Sequence, residues 1–155
     1  MSNLHTRAAS NRDAEGIREL VFSTLREYGL EPEPSNTDAD LVDIEQSYQE
    51  RGGAFLVLVD EGDHVRGSAG IYPLDAQECE LRKMYVHATC RGLGWGRRLL
   101  DELVREARAR GFRRIRLETA SVLEAAISLY RRYGFVPVCH EHLARRCDQA
   151  WALDL

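Results

Sequence analysis

Arg91-Gly92-Leu93-Gly94-Trp95-Gly96 runs directly into Arg97-Arg98-Leu99-Leu100 and a long amphipathic stretch. The first turn of a helix leaves about four backbone N–H groups without partners and carries about half a positive charge. Glycines at that point remove the Cβ atoms that would keep a phosphate away from those groups. The junction therefore reads as an anion site at the start of a helix.

Upstream of it, Glu80 to Val86 reads as a strand leading into the glycine run. Before that, Phe55-Leu56-Val57-Leu58-Val59 and Val65 to Tyr72 form the arms of a hairpin around Glu61-Gly62-Asp63. Downstream, helical spacing puts Trp95, Leu99, Leu103 and Ala107, with Leu100 and Val104, on one side. Arg97, Arg98, Asp101, Glu102, Arg105 and Glu106 take the other, at spacings that pair opposite charges; this favours a solvated face over a nucleic-acid surface. Gly111 ends the helix and Arg114 to Thr119 alternates as a strand, so the two flanking strands are expected to be parallel neighbours. Ser121-Val122-Leu123-Glu124 has capping-box spacing and opens a helix through Ile127, Tyr130 and Tyr133 that Gly134 terminates. Phe135 to Val138 and Ala150 to Asp154 read as closing strands.

Toward the N-terminus, Thr6 to Ala8 reads as a short strand, and Ser10-Asn11-Arg12-Asp13 as a capped helix start. Ile17, Leu20, Val21, Thr24, Leu25 and Tyr28 continue that helix to Gly29. Glu31-Pro32-Glu33-Pro34 makes a loop, since proline lacks the donor and restricts its predecessor. A second helix is expected from about Ala39 to Gln49, with Leu41, Ile44 and Tyr48 inward.

With 155 residues, 44% of them hydrophobic and 30% charged, the chain has the size and make-up of one soluble domain over 1–155. A net charge of -4 gives no general attraction for nucleic acid or anionic membrane. Lys83 is the only lysine. Cys79, Cys90, Cys139 and Cys147 form no C-x-x-C pair, and no apolar run resembles a signal peptide or a membrane span. Free thiols in a reducing cytoplasm are expected. Cys139, His140, His142 and Cys147 match no common zinc spacing, so no metal is expected.

Glu118 lies where the ribose-binding acid of a dinucleotide fold would lie. Against that reading, the third glycine of G-x-G-x-x-G is replaced by Arg97, and the run starts several residues after the strand. No G-K-[ST] follows, which excludes a P-loop. What fits is R-x-x-G-x-G, from Arg91 through Gly94 to Gly96. This closely resembles the signature of the GNAT superfamily of N-acetyltransferases. Ala126-Ile127-Ser128-Leu129-Tyr130-Arg131-Arg132-Tyr133-Gly134-Phe135 resembles the family's A-I-x-L-Y-x-x-x-G-F segment. The motif-bearing half runs from about Cys79 to Phe135, and the order of elements agrees over nearly the whole chain.

The resemblance implies an α/β (α+β) fold: a mixed, mostly antiparallel sheet of about seven strands and about four helices, with acetyl-CoA between splayed fourth and fifth strands. It implies that Gly92, Leu93, Gly94, Trp95, Gly96 and Arg97, with Arg91 at the head of the signature, hold the pyrophosphate. Met84, Tyr85 and Val86 would offer main-chain hydrogen bonds to the pantetheine and to the acetyl carbonyl, where one oxyanion donor is worth about 3 to 4 kcal/mol. Tyr130 would be the acid serving the departing thiolate. Glu80 and Glu118 match positions used as bases by different branches of the family, Glu80 with the side-chain parity of Met84 and Val86 in a regular strand. Two departures stand out: Leu123 replaces an asparagine that contacts the cofactor in many members, and His87-Ala88 replaces the usual proline.

By the same resemblance, the segments Phe22 to Tyr48 and His140 to Gln149 would set acceptor specificity. They hold Glu27, Glu31, Glu33, Asp38, Asp40 and Asp43, which would attract a cationic amine. The implied activity is acetyl transfer to a primary amine of a small molecule or an amino acid by direct attack on the thioester. A protein N-terminus or lysine is the alternative acceptor, and an acyl-CoA-binding regulatory domain without turnover the alternative class. The resemblance also makes a homodimer plausible.

Overall fold

The computed structural model describes residues 3–140 and 142–155. Its strands are β1 (His5–Ala8), β2 (Ala54–Val59), β3 (Val65–Pro73), β4 (Glu78–Val86), β5 (Arg114–Thr119), β6 (Val136–Val138) and β7 (Gln149–Asp154). The helices are α1 (Ala14–Glu27), α2 (Ile44–Ser47), α3 (Trp95–Ala109) and α4 (Glu124–Tyr133). One seven-stranded sheet runs β1-β2-β3-β4-β5-β7-β6. All its pairings are antiparallel except β4 with β5, the parallel pair expected on either side of α3.

The two faces of the sheet bury separate cores. Leu99, Leu100, Leu103, Val104 and Ala107 of α3 pack with Ile127 and Tyr130 of α4 onto Ile71, Cys79, Leu81, Ile115 and Leu117. On the other face Ile17, Val21 and Leu25 of α1 join Leu41, Ile44 and Tyr48 over Phe55 and Val57. Leu41, Ile44 and Tyr48 are thus inward as expected, but no continuous helix spans Ala39 to Gln49. The segment is a single α-helical turn between 3₁₀ turns at Ala39–Leu41 and Gln49–Arg51. Asp43 caps that turn by accepting the N–H of Gln46 (2.9 Å), which stops the helix from extending backwards.

The other two expected helix starts differ. At Ser10 the N–H donates to Asp13 Oδ2 (2.9 Å), as capping-box spacing requires. At Ser121 the spacing misleads: both its N–H (2.8 Å) and its hydroxyl (2.7 Å) donate to Asp148, just ahead of β7. α4 starts instead from Leu123, with no side-chain cap. A tertiary partner has outbid the local one.

β4 holds the largest departure from regular geometry. Gly70 faces Arg82 and Ser68 faces Tyr85, so Lys83 and Met84 together stand against Ala69. This is a β-bulge, and Lys83 adopts the left-handed conformation, φ 55°, that it demands. The buried Ser68 hydroxyl donates to Lys83 O (2.7 Å) and fixes it. Alternation is reset here. Cys79 and Leu81 face the α3 and α4 core before the bulge, while Met84 and Val86 face it afterwards. Glu80 therefore does not share the side of Met84 and Val86, as a regular strand would dictate; it lies on the α1 and α2 face.

Candidate active site

β4 and β5 are paired only through Glu78↔Arg114, Cys79↔Ile115 and Glu80↔Arg116. Beyond that point they part, and a cavity of about 650 Å³ occupies the opening. A groove of this size suits a cofactor-sized ligand. Leu81 to Val86 form one wall, Leu117 to Ala120 the other, and the start of α3 together with Ala125, Ala126, Leu129 and Tyr130 of α4 closes one end. Asn36, Thr37, Ala144, Arg146 and Cys147 line the other end.

The glycine run is placed at the first of these ends. Gly94 caps α3 with φ 87°, a conformation that costs an L-residue about 1 to 2 kcal/mol. Arg98 is the first residue whose N–H returns to a carbonyl of this turn, that of Gly94 (3.1 Å). Earlier N–H groups have no carbonyl a turn behind them in the helix, so an anion here meets donors and the positive end of the dipole. A Cβ on Gly96 would sit 3.4 Å from Leu129, 3.7 Å from Met84 and 4.0 Å from Val86, ordinary contacts, so Gly96 packs α3 against β4 and α4 without a steric need for glycine.

The other signature residues fall unequally. Gly92, Gly94, Trp95 and Gly96 line the cavity with Met84, Tyr85, Val86 and Arg91. The side chains of Leu93 and Arg97 turn outward; Leu93 is 68% exposed and Arg97 lies over the ring of Tyr133 (4.6 Å). Arg91 is occupied as a brace. Its Nε donates to Val86 O (2.9 Å), and its guanidinium pairs with Glu27 and donates to the hydroxyl of Tyr28 (3.2 Å). The first signature residue thereby ties the glycine loop to β4 and α1.

Tyr130 is buried on α4, its ring 5.6 Å from that of Phe135, and it reaches the cavity wall. Burial, with Tyr85 nearby, pushes its hydroxyl well above the ordinary tyrosine range. Glu80 and Glu118 both line the cavity, but their partners differ. Glu80 is ion-paired with Arg82. Glu118 accepts the N–H of Ala144 (2.7 Å) and lies 3.6 Å from His140 Nε2, with no arginine or lysine among its partners in the described residues. His140 accepts the N–H of His142 at Nδ1 (3.1 Å), so its neutral ring carries the proton on the nitrogen facing Glu118.

A sequence profile of the acetyltransferase (GNAT) family matches residues 17–135. This chain belongs to the GNAT family of acetyltransferases. The uncharacterised N-acetyltransferase YjgM of Escherichia coli is 38% identical over 129 residues, 80% of this chain and 77% of that one. The IAA acetyltransferase of Azospirillum brasilense is 36% identical over 122 residues, 78% of this chain and 77% of its own. In three dimensions, a GNAT-family acetyltransferase from Staphylococcus aureus superposes with a TM-score of 0.92 at 21% identity, over 98% of this chain and 99% of that one. The yncA protein of Salmonella typhimurium, solved with its cofactor acetyl-CoA, gives 0.76 at 25% identity over 99% and 94%. The parted fourth and fifth strands are thus those of a GNAT fold, and the chain is an enzyme of the acetyltransferase class.

The acids expected to attract an amine to this acetyltransferase are largely neutralised. Asp38 receives Arg146 in a bidentate pair (2.7 and 2.8 Å), the N–H of Glu33 (2.8 Å) and Lys83 Nζ (3.4 Å). Asp40 pairs with Lys83 (3.0 Å) and accepts the hydroxyl of Tyr48. Glu27 holds Arg91 and Asp43 caps α2. Sequence reading assigned no role to Arg82, Lys83 and Arg146, although the only lysine of the chain, set beside an arginine in a strand that also carries Glu78 and Glu80, was a signal that charge is needed there.

All four cysteines are free thiols. Cys147 lines the cavity, where burial, with Glu118 nearby, pushes its thiol up to about 11. Among the described residues no group of three or more His, Cys, Asp or Glu side chains is arranged to hold a metal, and no helix is long and apolar enough to cross a membrane.

Proposed function

We propose that this acetyltransferase moves the acetyl group of acetyl-CoA directly onto the primary amine of a small molecule, amino acids included, in a ternary complex. The observation that carries the reading is the cavity between β4 and β5, whose lining brings the α3 N-terminus, Tyr130 and two carboxylates together. The first-turn N–H groups from Gly92 to Arg97 hold the pyrophosphate, and the main chain of Met84, Tyr85 and Val86 the pantetheine. An amine nitrogen attacks the thioester carbonyl, the C–S bond breaks, and the ammonium proton leaves to a carboxylate, directly or through a water.

We assign that carboxylate to Glu118. The Glu80 carboxylate is taken up by the guanidinium of Arg82, whereas Glu118 accepts only the main-chain N–H of Ala144 and has the His140 imidazole beside it. Glu118→Gln is expected to lower kcat at neutral pH tenfold or more, and Glu80→Gln to lower it less, in initial-rate assays. A Glu118→Gln enzyme running at the wild-type rate would remove the assignment.

A small acceptor is favoured over a protein segment by how the acceptor end is walled. The loop bearing Asp38 and the segment bearing Arg146 both contribute to this wall, and their side chains are joined by a nearly inaccessible ion pair, 0% and 10% exposed. An extended polypeptide lying between them would have to part that pair. The test is mass-spectrometric detection of acetylated products from acetyl-CoA with amino acids, polyamines, aminoglycosides and peptides as acceptors. Product from small amines supports the reading; acetylation of the peptides alone would replace it with the protein acceptor, and acetyl-CoA binding without any product would replace it with a sensor.

A further inference from the structure

On β4 before the bulge, Cys79 and Leu81 point into the core beneath α3, so Glu78, Glu80 and Arg82 share the opposite face. On β5, Ile115 and Leu117 enter the same core, leaving Arg114, Arg116 and Glu118 on that opposite face. The pair Glu78 and Arg116 (3.8 Å) bridges the two strands there. The last register pair is Glu80↔Arg116. One same-face step further along both strands come Arg82 and Glu118. If β4 and β5 continued at the usual spacing of about 4.8 Å, these two would meet as a cross-strand ion pair.

The splay prevents it and leaves one charge of each sign on opposite sides of the opening. Arg82 turns its Nε to Glu80 and stacks over the ring of Tyr72 (3.9 Å), which orients the guanidinium. Its two Nη groups have no partner among the described residues. Glu118 is held across the gap by the N–H of Ala144. Both side chains line the cavity. The cations of the neighbouring network, Lys83 and Arg146, are already bound to Asp38 and Asp40, whereas Arg82 has donors to spare.

Resting on the acetyltransferase reading above, we infer that the acceptor is a zwitterion, most simply an α-amino acid, which completes this divided ion pair. Its carboxylate takes the Nη groups of Arg82 and its ammonium faces Glu118, which places the nitrogen beside its base. Arg82 is then a specificity-determining residue, and an amine without a carboxylate forgoes a charge-assisted pair with this partly exposed guanidinium.

The experiment compares kcat/KM for matched acceptors: an α-amino acid, its carboxamide, and the amine lacking the carboxyl group. The amino acid is expected to lead by about 30-fold or more, and Arg82→Gln to bring the ratio close to one, chiefly through KM, with Arg82→Lys between. Independently of any variant, the amino acid raises the melting temperature of the wild-type enzyme in the presence of CoA, and the carboxamide does not. Equal rates for the three acceptors in the wild type would overturn the inference while leaving the acetyltransferase reading in place. Arg82→Gln slowing all three alike would also overturn it, by assigning Arg82 to the support of Glu80. If no amine is acetylated at all, the functional reading fails and this inference with it.

Discussion

Tyr130→Phe is expected to lower kcat by about 10² to 10⁴ and to leave acetyl-CoA affinity close to that of the wild type. The substitution keeps the ring, and with it the packing against Phe135 and the α3 core, so the fold is retained. What is lost is one hydroxyl at the cavity wall. Burial raises that group well above the usual tyrosine range, so it stays protonated at every pH where the enzyme would work; in the proposed reaction its proton goes to the thiolate released when the C–S bond breaks. Steady-state rates with the best acceptor of the panel, together with acetyl-CoA binding by melting temperature, check this. A Tyr130→Phe enzyme within threefold of wild type would mean that the thiolate leaves without help, and Tyr130 would be a packing residue.

Arg146→Met is expected to destabilise the protein by about 3 kcal/mol, a fall in melting temperature of about 6 to 12 °C for a domain of this size. Its partner Asp38 is fully buried at the side chain. Burial by itself pushes the Asp38 carboxyl up, but Arg146, the N–H of Glu33 and Lys83 overcome that and hold it below the ordinary carboxylate range. Deleting Arg146 leaves a buried charge with Lys83 as its remaining cation. Because the folded-state value is depressed, the stabilisation is present above the unfolded value of about 4 and is lost as pH falls through the folded one. The acid-unfolding midpoint of Arg146→Met therefore moves to higher pH than that of the wild type. Thermal melts at neutral pH and acid titrations check both parts. A midpoint within 2 °C of wild type would show that Arg146 and Asp38 contribute no net stabilisation, and the argument that their pairing closes the acceptor end would lose its footing.

The order of elements, the parallel pairing of β4 with β5 and the helix start at the glycine run were all legible in the chain. These rest on local rules: hydrophobic period, glycine at turns, and short connections. Where a distant residue competes with a local one, the reading failed. Asp148 takes the Ser121 hydroxyl that capping-box spacing assigned to α4. Asp148 is not visible from the window of sequence in which α4 is read. Asp43 lies inside its own window and ends backwards growth of α2 as a local cap, so a helix expected over eleven positions is one turn; that signal was open to the sequence and competed with the hydrophobic period.

The site divides in the same way. Sequence alone pointed to the start of α3 as a place suited to an anion, because that property belongs to a helix terminus stripped of side chains and needs no partner from elsewhere. It also supplied Tyr130, Glu80 and Glu118 as a short list. Only the tertiary structure decided which side of the sheet each one faces and whether it is neutralised. The bulge at Lys83 resets the alternation of β4, and the acids of the α1 to α2 segment meet Lys83 and Arg146 from positions far along the chain. Parity and charge pairing in a splayed sheet are long-range quantities. They depend on which strands part and which loops fold over the gap.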